Sequence, residues 1–244
     1  MGKTALLFGI LLLACGCNRP EIGYGTKIIE KNEEAPKIAM TSEFAIPVLM
    51  YHRVCKLTDS ERRNPLVSDL TVSPADFEEQ VRFLKEAGFE FLYASEVEDA
   101  LAKGKPLPKR AIAITFDDGY RDNFTDAFPI LQKYGAKATL FMVSDNFEKP
   151  QRISWSDARV MNKNDVDFQS HSVSHPDLTS LNDDRLSYEL VESKRTIESG
   201  LNSVVTSIAY PAGSFDDRVE LFCAKSGYLA AWKKGGGAVQ PGHA

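Results

Sequence analysis

Cysteine and tryptophan are scarce in this chain of 244 residues, with four of the first and two of the second. The cysteines, Cys15, Cys17, Cys55 and Cys223, contain no C-x-x-C pair, which removes the zinc-knuckle and disulfide-dense classes. With Cys15 set aside, three remain, an odd set that cannot close as intramolecular disulfides. Cys55 and Cys223 then read as buried thiols or as one optional bridge. No glycine-rich phosphate loop follows an apolar run and no G-x-S-x-G elbow occurs, so nucleotide binding and serine-esterase chemistry drop out. Positive charge is not in excess either. The 29 Lys+Arg against 34 Asp+Glu leave −5, no footprint for a nucleic-acid backbone. A hydrophobic content of 43% and a charged content of 26% exclude a disordered chain.

The apolar run Ala5 to Ala14 is too short to span a bilayer and has the length of a signal-peptide core. It leads into Cys15-Gly16-Cys17. Leu12-Leu13-Ala14-Cys15 resembles the lipobox of bacterial lipoproteins, in which the cysteine becomes the acylated first residue of the mature chain. That resemblance implies an export segment at residues 1–17, lipidation at Cys15, and a membrane-anchored protein of the bacterial cell envelope, periplasmic or outer face. Cys17 fits the pattern less well, and a plain secretory signal is the alternative. Residues 18–45 are polar and without period, which reads as a tether spanning about 30 Å as a flexible coil.

From Ile46 onward, strand-length apolar runs alternate with amphipathic segments. The runs are Ile46–Tyr51, Phe89–Tyr93, Ala111–Phe116, Ala138–Val143, Val166–Ser170, Val205–Tyr210 and Tyr228–Trp232. Ser73-Pro74-Ala75-Asp76 marks a helix start, with Phe77, Val81 and Leu84 on one face and Gly88 as the stop. Phe124, Phe128 and Leu131 run to Gly135, Leu186, Leu190 and Ile197 to Gly200, and Val219, Phe222 and Cys223 to Gly227. Asp183-Asp184 and Asp216-Asp217 read as helix starts. Such alternation predicts one α/β domain over residues 46–244 built on a parallel sheet, which an open doubly wound sheet and a closed or distorted barrel both satisfy. With no phosphate loop and an acidic Asp117-Asp118-Gly119 turn, the distorted barrel of seven strand and helix units is preferred. Its chemistry belongs at the carboxyl ends of the strands.

His52 follows the first strand, Asp117-Asp118-Gly119 the third, and His171-Ser172-Val173-Ser174-His175 the fifth; Tyr210-Pro211-Ala212-Gly213 closes the sixth. Three of the four histidines thus fall on one rim, the fourth being His243 near the end of the chain. His171 and His175 are spaced to converge on one ion, and one carboxylate would complete a His2Asp set with an open position. Such donors suit Zn2+ best, with Co2+, Ni2+, Fe2+ or Mn2+ as alternatives. Adjacent carboxylates repel unless a cation sits beside them, so two jobs are implied, ligand and proton acceptor. The competing view is that Asp117-Asp118-Gly119 is a strand-to-helix turn. Trp155 and Tyr210 could stack on sugar rings or belong to the core.

Thr115-Phe116-Asp117-Asp118-Gly119 and His171-Ser172-Val173-Ser174-His175, about fifty residues apart, resemble the first two motifs of the polysaccharide deacetylases, carbohydrate esterase family four. The resemblance covers about Ile46 to Gly237. It implies that Asp117 is the general base, that Asp118, His171 and His175 hold a divalent metal, and that the reaction removes acetyl groups from a sugar polymer. Ala209-Tyr210-Pro211-Ala212-Gly213 departs from the family's Arg-x-Pro-aromatic-Gly, although Pro211, Ala212 and Tyr210 remain candidates for the oxyanion and substrate wall, through the Ala212 amide. The Asp-x-x-Asp-Trp segment and the late Leu-x-His are absent. Leu49-Met50-Tyr51-His52 resembles instead the circularly permuted branch of exported poly-N-acetylglucosamine deacetylases, which implies His52 as general acid. The expected substrate is an acetylated polysaccharide, with poly-β-1,6-N-acetylglucosamine favoured over peptidoglycan, chitin and xylan. The competing function is a catalytically impaired carbohydrate-binding lipoprotein on the same scaffold. No protein partner is implied, and the catalytic domain is read as incomplete at its C-terminus.

Overall fold

A computed structural model describes residues 46–235. The export segment, Cys15, the tether and His243 lie outside the described residues. Among the described residues nine strands form in chain order: β1 (Val48–Tyr51), β2 (Arg53–Val54), β3 (Thr71–Val72), β4 (Glu90–Leu92), β5 (Ala111–Asp117), β6 (Ala138–Met142), β7 (Val166–Ser170), β8 (Ser207–Ala209) and β9 (Ala230–Trp232). Seven of them make one parallel sheet in the order β1-β5-β6-β7-β8-β9, with β4 on the amino half of β5. These seven are the expected strands. The short pair β2 and β3 forms a separate parallel ladder that the sequence did not suggest.

Side-chain alternation along the strands divides the interior in two. Ile112, Ile114 and Phe116 of β5, Leu140 of β6, Phe168 of β7 and Ile208 of β8 belong to one core. Helices cover that face: α3 (Pro74–Glu86), α5 (Phe128–Tyr134), α6 (Trp155–Asn162), α7 (Asp183–Leu201) and α8 (Asp217–Lys225). Their apolar stripes, such as Phe77, Val81 and Leu84, or Leu186, Leu190 and Ile197, join the same core. The opposite parity, Val48, Ala113, Phe141, Ala209 and Trp232, makes a second core. Because residues of β1 and β9 meet there, the sheet is curled into a half-barrel. Among the described residues β1 and β9 are not hydrogen-bonded, so the expected barrel is open at that seam. One more helix, α4 (Ala94–Lys103), packs Ala94 and Val97 into this inner core.

Local chemistry explains most boundaries. Ser73 caps α3 by accepting from the Asp76 amide, and Asp216 caps α8 by accepting from Val219. α7 opens on Asp183-Asp184 as expected, and Asn182 caps it by accepting from the Arg185 amide. Gly200 does not end that helix as expected: α7 continues to Leu201, and Asn202 takes the left-handed turn. Gly200 matters for another reason. A Cβ there would lie 2.1 Å from the Trp155 ring, so glycine admits that ring, which stacks on Phe147 with centroids 3.6 Å apart. Trp155 is therefore a packing residue and does not line the central cavity. Cys55 is half-buried and Cys223 buried, and no disulfide joins them.

Inside the inner core, Glu98 of α4 is 6% exposed and accepts from the Trp232 indole N–H at 2.6 Å. Burial pushes its carboxyl up to about 7. The protonated form is thus favoured by folding, and the stability it contributes is present below the ordinary carboxylate range and is lost as pH rises through about 7. Glu98→Gln keeps an acceptor for Trp232 without a charge to bury. It is expected to unfold in urea like the parent near pH 5 and to be more stable at pH 8 by on the order of 2 kcal/mol. Parallel pH curves for the two proteins would contradict this.

Candidate active site

Parity places the chemistry. Val48 and Met50 belong to the inner face of β1, so His52, one step past the strand, continues it; Ala113, Thr115 and Asp117 do the same on β5. On β7, Gln169 has inner parity and His171 follows it. The register Tyr51↔Phe116 brings His52 level with Asp117, with His52 Nε2 4.0 Å from Asp117 Oδ2. His52 thus reaches the site from the strand beside β5, not through a ladder with β9. Asp118 breaks the alternation. Its φ of 73° and the 73° of Gly119 turn the chain, so that Asp118 also faces the cavity. No Cβ fits at Gly119, where it would lie 2.1 Å from the Met142 sulfur.

His175 and Ser172 have φ of 62° and 65°, and this turn brings His175 back over His171, ring centroids 4.7 Å apart. The Asp118 Oδ1 atom is 3.7 Å from Nε2 of each histidine, and the three ligand atoms lie within 4.8 Å of one another. Ligands bound tetrahedrally at about 2.0–2.1 Å stand roughly 3.4 Å apart, so the cluster fits a single divalent ion after a small contraction. His171 Nδ1 donates to the Ala209 carbonyl at 2.8 Å. Since a carbonyl only accepts, the proton is on Nδ1 and the Nε2 lone pair is left for a metal.

The electrostatics point the same way. Burial, and then the charge of Asp118, holds the Asp117 carboxyl well above the ordinary range. Burial, and then the neighbouring His175, lowers His171 to about 4. Burial also lowers His52, with Lys234 adding to the effect and Asp118 opposing it. A cation among these groups offsets the repulsion between the carboxylates, and His171, which resists protonation, keeps a lone pair for it.

The five groups open onto one cavity of about 850 Å3. Tyr210, stacked on Phe215, and Ala212 line it together with Trp232. The Ala212 φ of 56° turns the Pro211–Gly213 segment, which the Gly213 amide pins by donating to Tyr210 O at 2.8 Å. One stretch of the cavity lining was not foreseen: Ser68, Asp69, Leu70 and Thr71, at the end of the excursion that carries helices α1 (Asp59–Arg62) and α2 (Pro65–Ser68). Also unforeseen is Glu189, fully buried on α7. It accepts from the amides of Val173 and Ser174 at 2.9 and 2.8 Å and from the Ser174 hydroxyl at 2.7 Å, and it pairs with Arg185. This carboxylate holds the turn that carries both histidines. An acid at a core position of α7, between Leu186 and Leu190, was the available signal.

Fold and site together define a parallel α/β half-barrel with a candidate divalent-metal site on its carboxyl rim. Comparison with known proteins is specific. The polysaccharide deacetylase family model matches residues 104–231. The solved Streptococcus pyogenes deacetylase PplD, in complex with acetate, superposes with a TM-score of 0.73 at 32% identity, covering 77% of this chain and 83% of that one. The poly-beta-1,6-N-acetyl-D-glucosamine N-deacetylase of Staphylococcus aureus is 28% identical over 213 residues, 79% of this chain and 73% of that protein. YxkH of Bacillus subtilis is 29% identical over 183 residues, 75% of this chain, and the chain spans only 62% of YxkH. The chain belongs to the polysaccharide deacetylase family.

Glu189→Gln retains one acceptor oxygen and replaces the other with a donor facing backbone amides. It is expected to lose about 2 kcal/mol of stability in urea unfolding and to bind Zn2+ about tenfold more weakly by calorimetry. Unchanged metal affinity would show that Glu189 does not hold the histidine turn.

Proposed function

We propose that this protein is a divalent-metal-dependent N-deacetylase of an N-acetylglucosamine-containing polysaccharide, with poly-β-1,6-N-acetylglucosamine as the favoured substrate. One observation carries the reading: Asp118, His171 and His175 converge for an ion in the same cavity in which Asp117 and His52 stand 4.0 Å apart. The likeness to the Staphylococcus aureus enzyme supports the choice of polymer. A divalent ion held there, Zn2+ by the donor set, would polarise the acetyl carbonyl and acidify a water.

The chain's own groups do the rest. Asp117 takes a proton from the attacking water as its oxygen adds to the acetyl carbon, and the wall at Ala212 faces the negative oxygen that develops. His52 gives a proton to the amide nitrogen as the carbon–nitrogen bond breaks, releasing acetate and the free amine. Tyr210 and Trp232, almost fully buried in the cavity wall, supply apolar surface for the acetyl methyl group. Consistent with the lipobox-like Leu12-Leu13-Ala14-Cys15, we place the protein in the bacterial envelope, tethered through Cys15.

Acetate release from acetylated polysaccharides tests this. Poly-β-1,6-N-acetylglucosamine is expected to yield acetate, chelation to stop the release and Zn2+ to restore it. Asp117→Asn should retain metal binding while turnover falls by about 10²–10⁴-fold. A metal-free protein that bound glycans and released no acetate would favour the carbohydrate-binding alternative. In a bacterial host, Cys15→Ser should move the protein from the membrane to the soluble fraction; an unchanged distribution would contradict the anchor.

A further inference from the structure

His52 lies just beyond β1, and directly after it comes β2, a strand of two residues whose ladder consists of Arg53↔Thr71 and Val54↔Val72. So short a ladder cannot by itself fix the direction of the histidine. The segment is clamped instead from the loop after β5. Asp122 Oδ1 accepts from the Val54 amide at 2.9 Å and its Oδ2 from Arg53 Nε at 3.0 Å, while Asn123 Nδ2 donates to the His52 carbonyl at 2.8 Å. Three consecutive residues, 52 to 54, are therefore tied to two consecutive side chains.

Asn123 is fully buried, and its Oδ1 has no hydrogen-bond partner. A buried orphan acceptor costs about 1–3 kcal/mol, a cost that an apolar residue of the same size would avoid. What asparagine supplies, and leucine lacks, is the N–H that reaches His52. Asn123 also opens a π-helical turn, Asn123–Ala127, a local geometry that recurs at functional sites. The same loop follows directly on Asp117, the last residue of β5, and includes Asp118, so one continuous segment can set proton acceptor, ligand and proton donor in register.

We infer that Asn123, seconded by Asp122, is the positioning residue of His52, holding its ring where it can protonate the departing amine. The inference rests on the role given to His52 in the proposed function. Its signature is dependence on the leaving group. An amine must be protonated to leave, whereas the phenolate of an aryl acetate need not be.

The test compares the parent, His52→Ala, Asn123→Leu and the double variant on a β-1,6-linked N-acetylglucosamine oligomer and on 4-nitrophenyl acetate. For Asn123→Leu, the ratio of amide to aryl-ester turnover is expected to fall by about tenfold or more, in kcat rather than KM. Its melting temperature should be at or above that of the parent, and the double variant should be no slower on the amide than His52→Ala alone. An undiminished amide rate, or an equal loss on both substrates with a lowered melting temperature, would overturn the inference. Side-chain NMR of His52 provides an arm independent of activity: one χ1 rotamer in the parent and averaging in Asn123→Leu are expected, and an unchanged rotamer would refute the clamp. Should the parent release no acetate from any glycan, the proposed function falls, and the NMR arm still decides the clamp.

Discussion

Asp117 ends a strand buried along its whole length with a second carboxylate, Asp118, directly after it, and the cost of burying Asp117, to which the charge of Asp118 adds, is the constraint to which the rest of the site answers. A buried carboxylate beside a second one is costly unless one is neutralised or a cation is shared. Asp118 is turned out of the strand's parity by its left-handed backbone, and its carbonyl is held by donation from Asn146 Nδ2 at 3.0 Å. That turn separates the two carboxylates into different roles: Asp118 joins the two histidines, and Asp117 stays on the inner face opposite His52.

The inner face converts sequence period into a reaction centre. Strands of period two send His52, Asp117 and His171 into the same cavity because β1, β5 and β7 are parallel and in fixed register. Carboxyl-end placement alone would not ensure this. A one-residue slip of β1 against β5 would turn His52 toward the helices and leave Asp117 without its partner. Buried side chains guard the arrangement: Gln169 Oε1 accepts from the amides of Thr206 and Ser207 at 2.9 Å and joins β7 to β8 where the sheet curls.

Much of this was legible in the sequence, for definable reasons. All seven main strands were foreseen, Val166–Ser170 to the residue, because both faces of the sheet are covered and the strands read as apolar runs. Val205–Tyr210 shrinks to Ser207–Ala209 because the Val205 and Thr206 amides donate to the side chains of Glu198 and Gln169. Helix α4 escaped notice because only Val97 and Leu101 are large and apolar in it, so its periodicity is weak. At the site, the five titratable groups His52, Asp117, Asp118, His171 and His175 were readable from spacing and strand ends, whereas the lining at residues 68–71 was not. Glu189, Asp122 and Asn123 were not, since their roles consist of long-range bonds to backbone groups, and nothing local in the sequence records which carbonyl or amide a side chain will reach.

The central claim is that the adjacent carboxylate pair is completed by one divalent ion held by Asp118, His171 and His175. Calorimetric titration of chelator-treated protein with Zn2+, paired with thermal unfolding, tests it most directly. The predicted result is one ion per chain, a rise in melting temperature on binding, and loss of both in Asp118→Ala. Absence of binding, or binding and stabilisation that persist in Asp118→Ala, would contradict it.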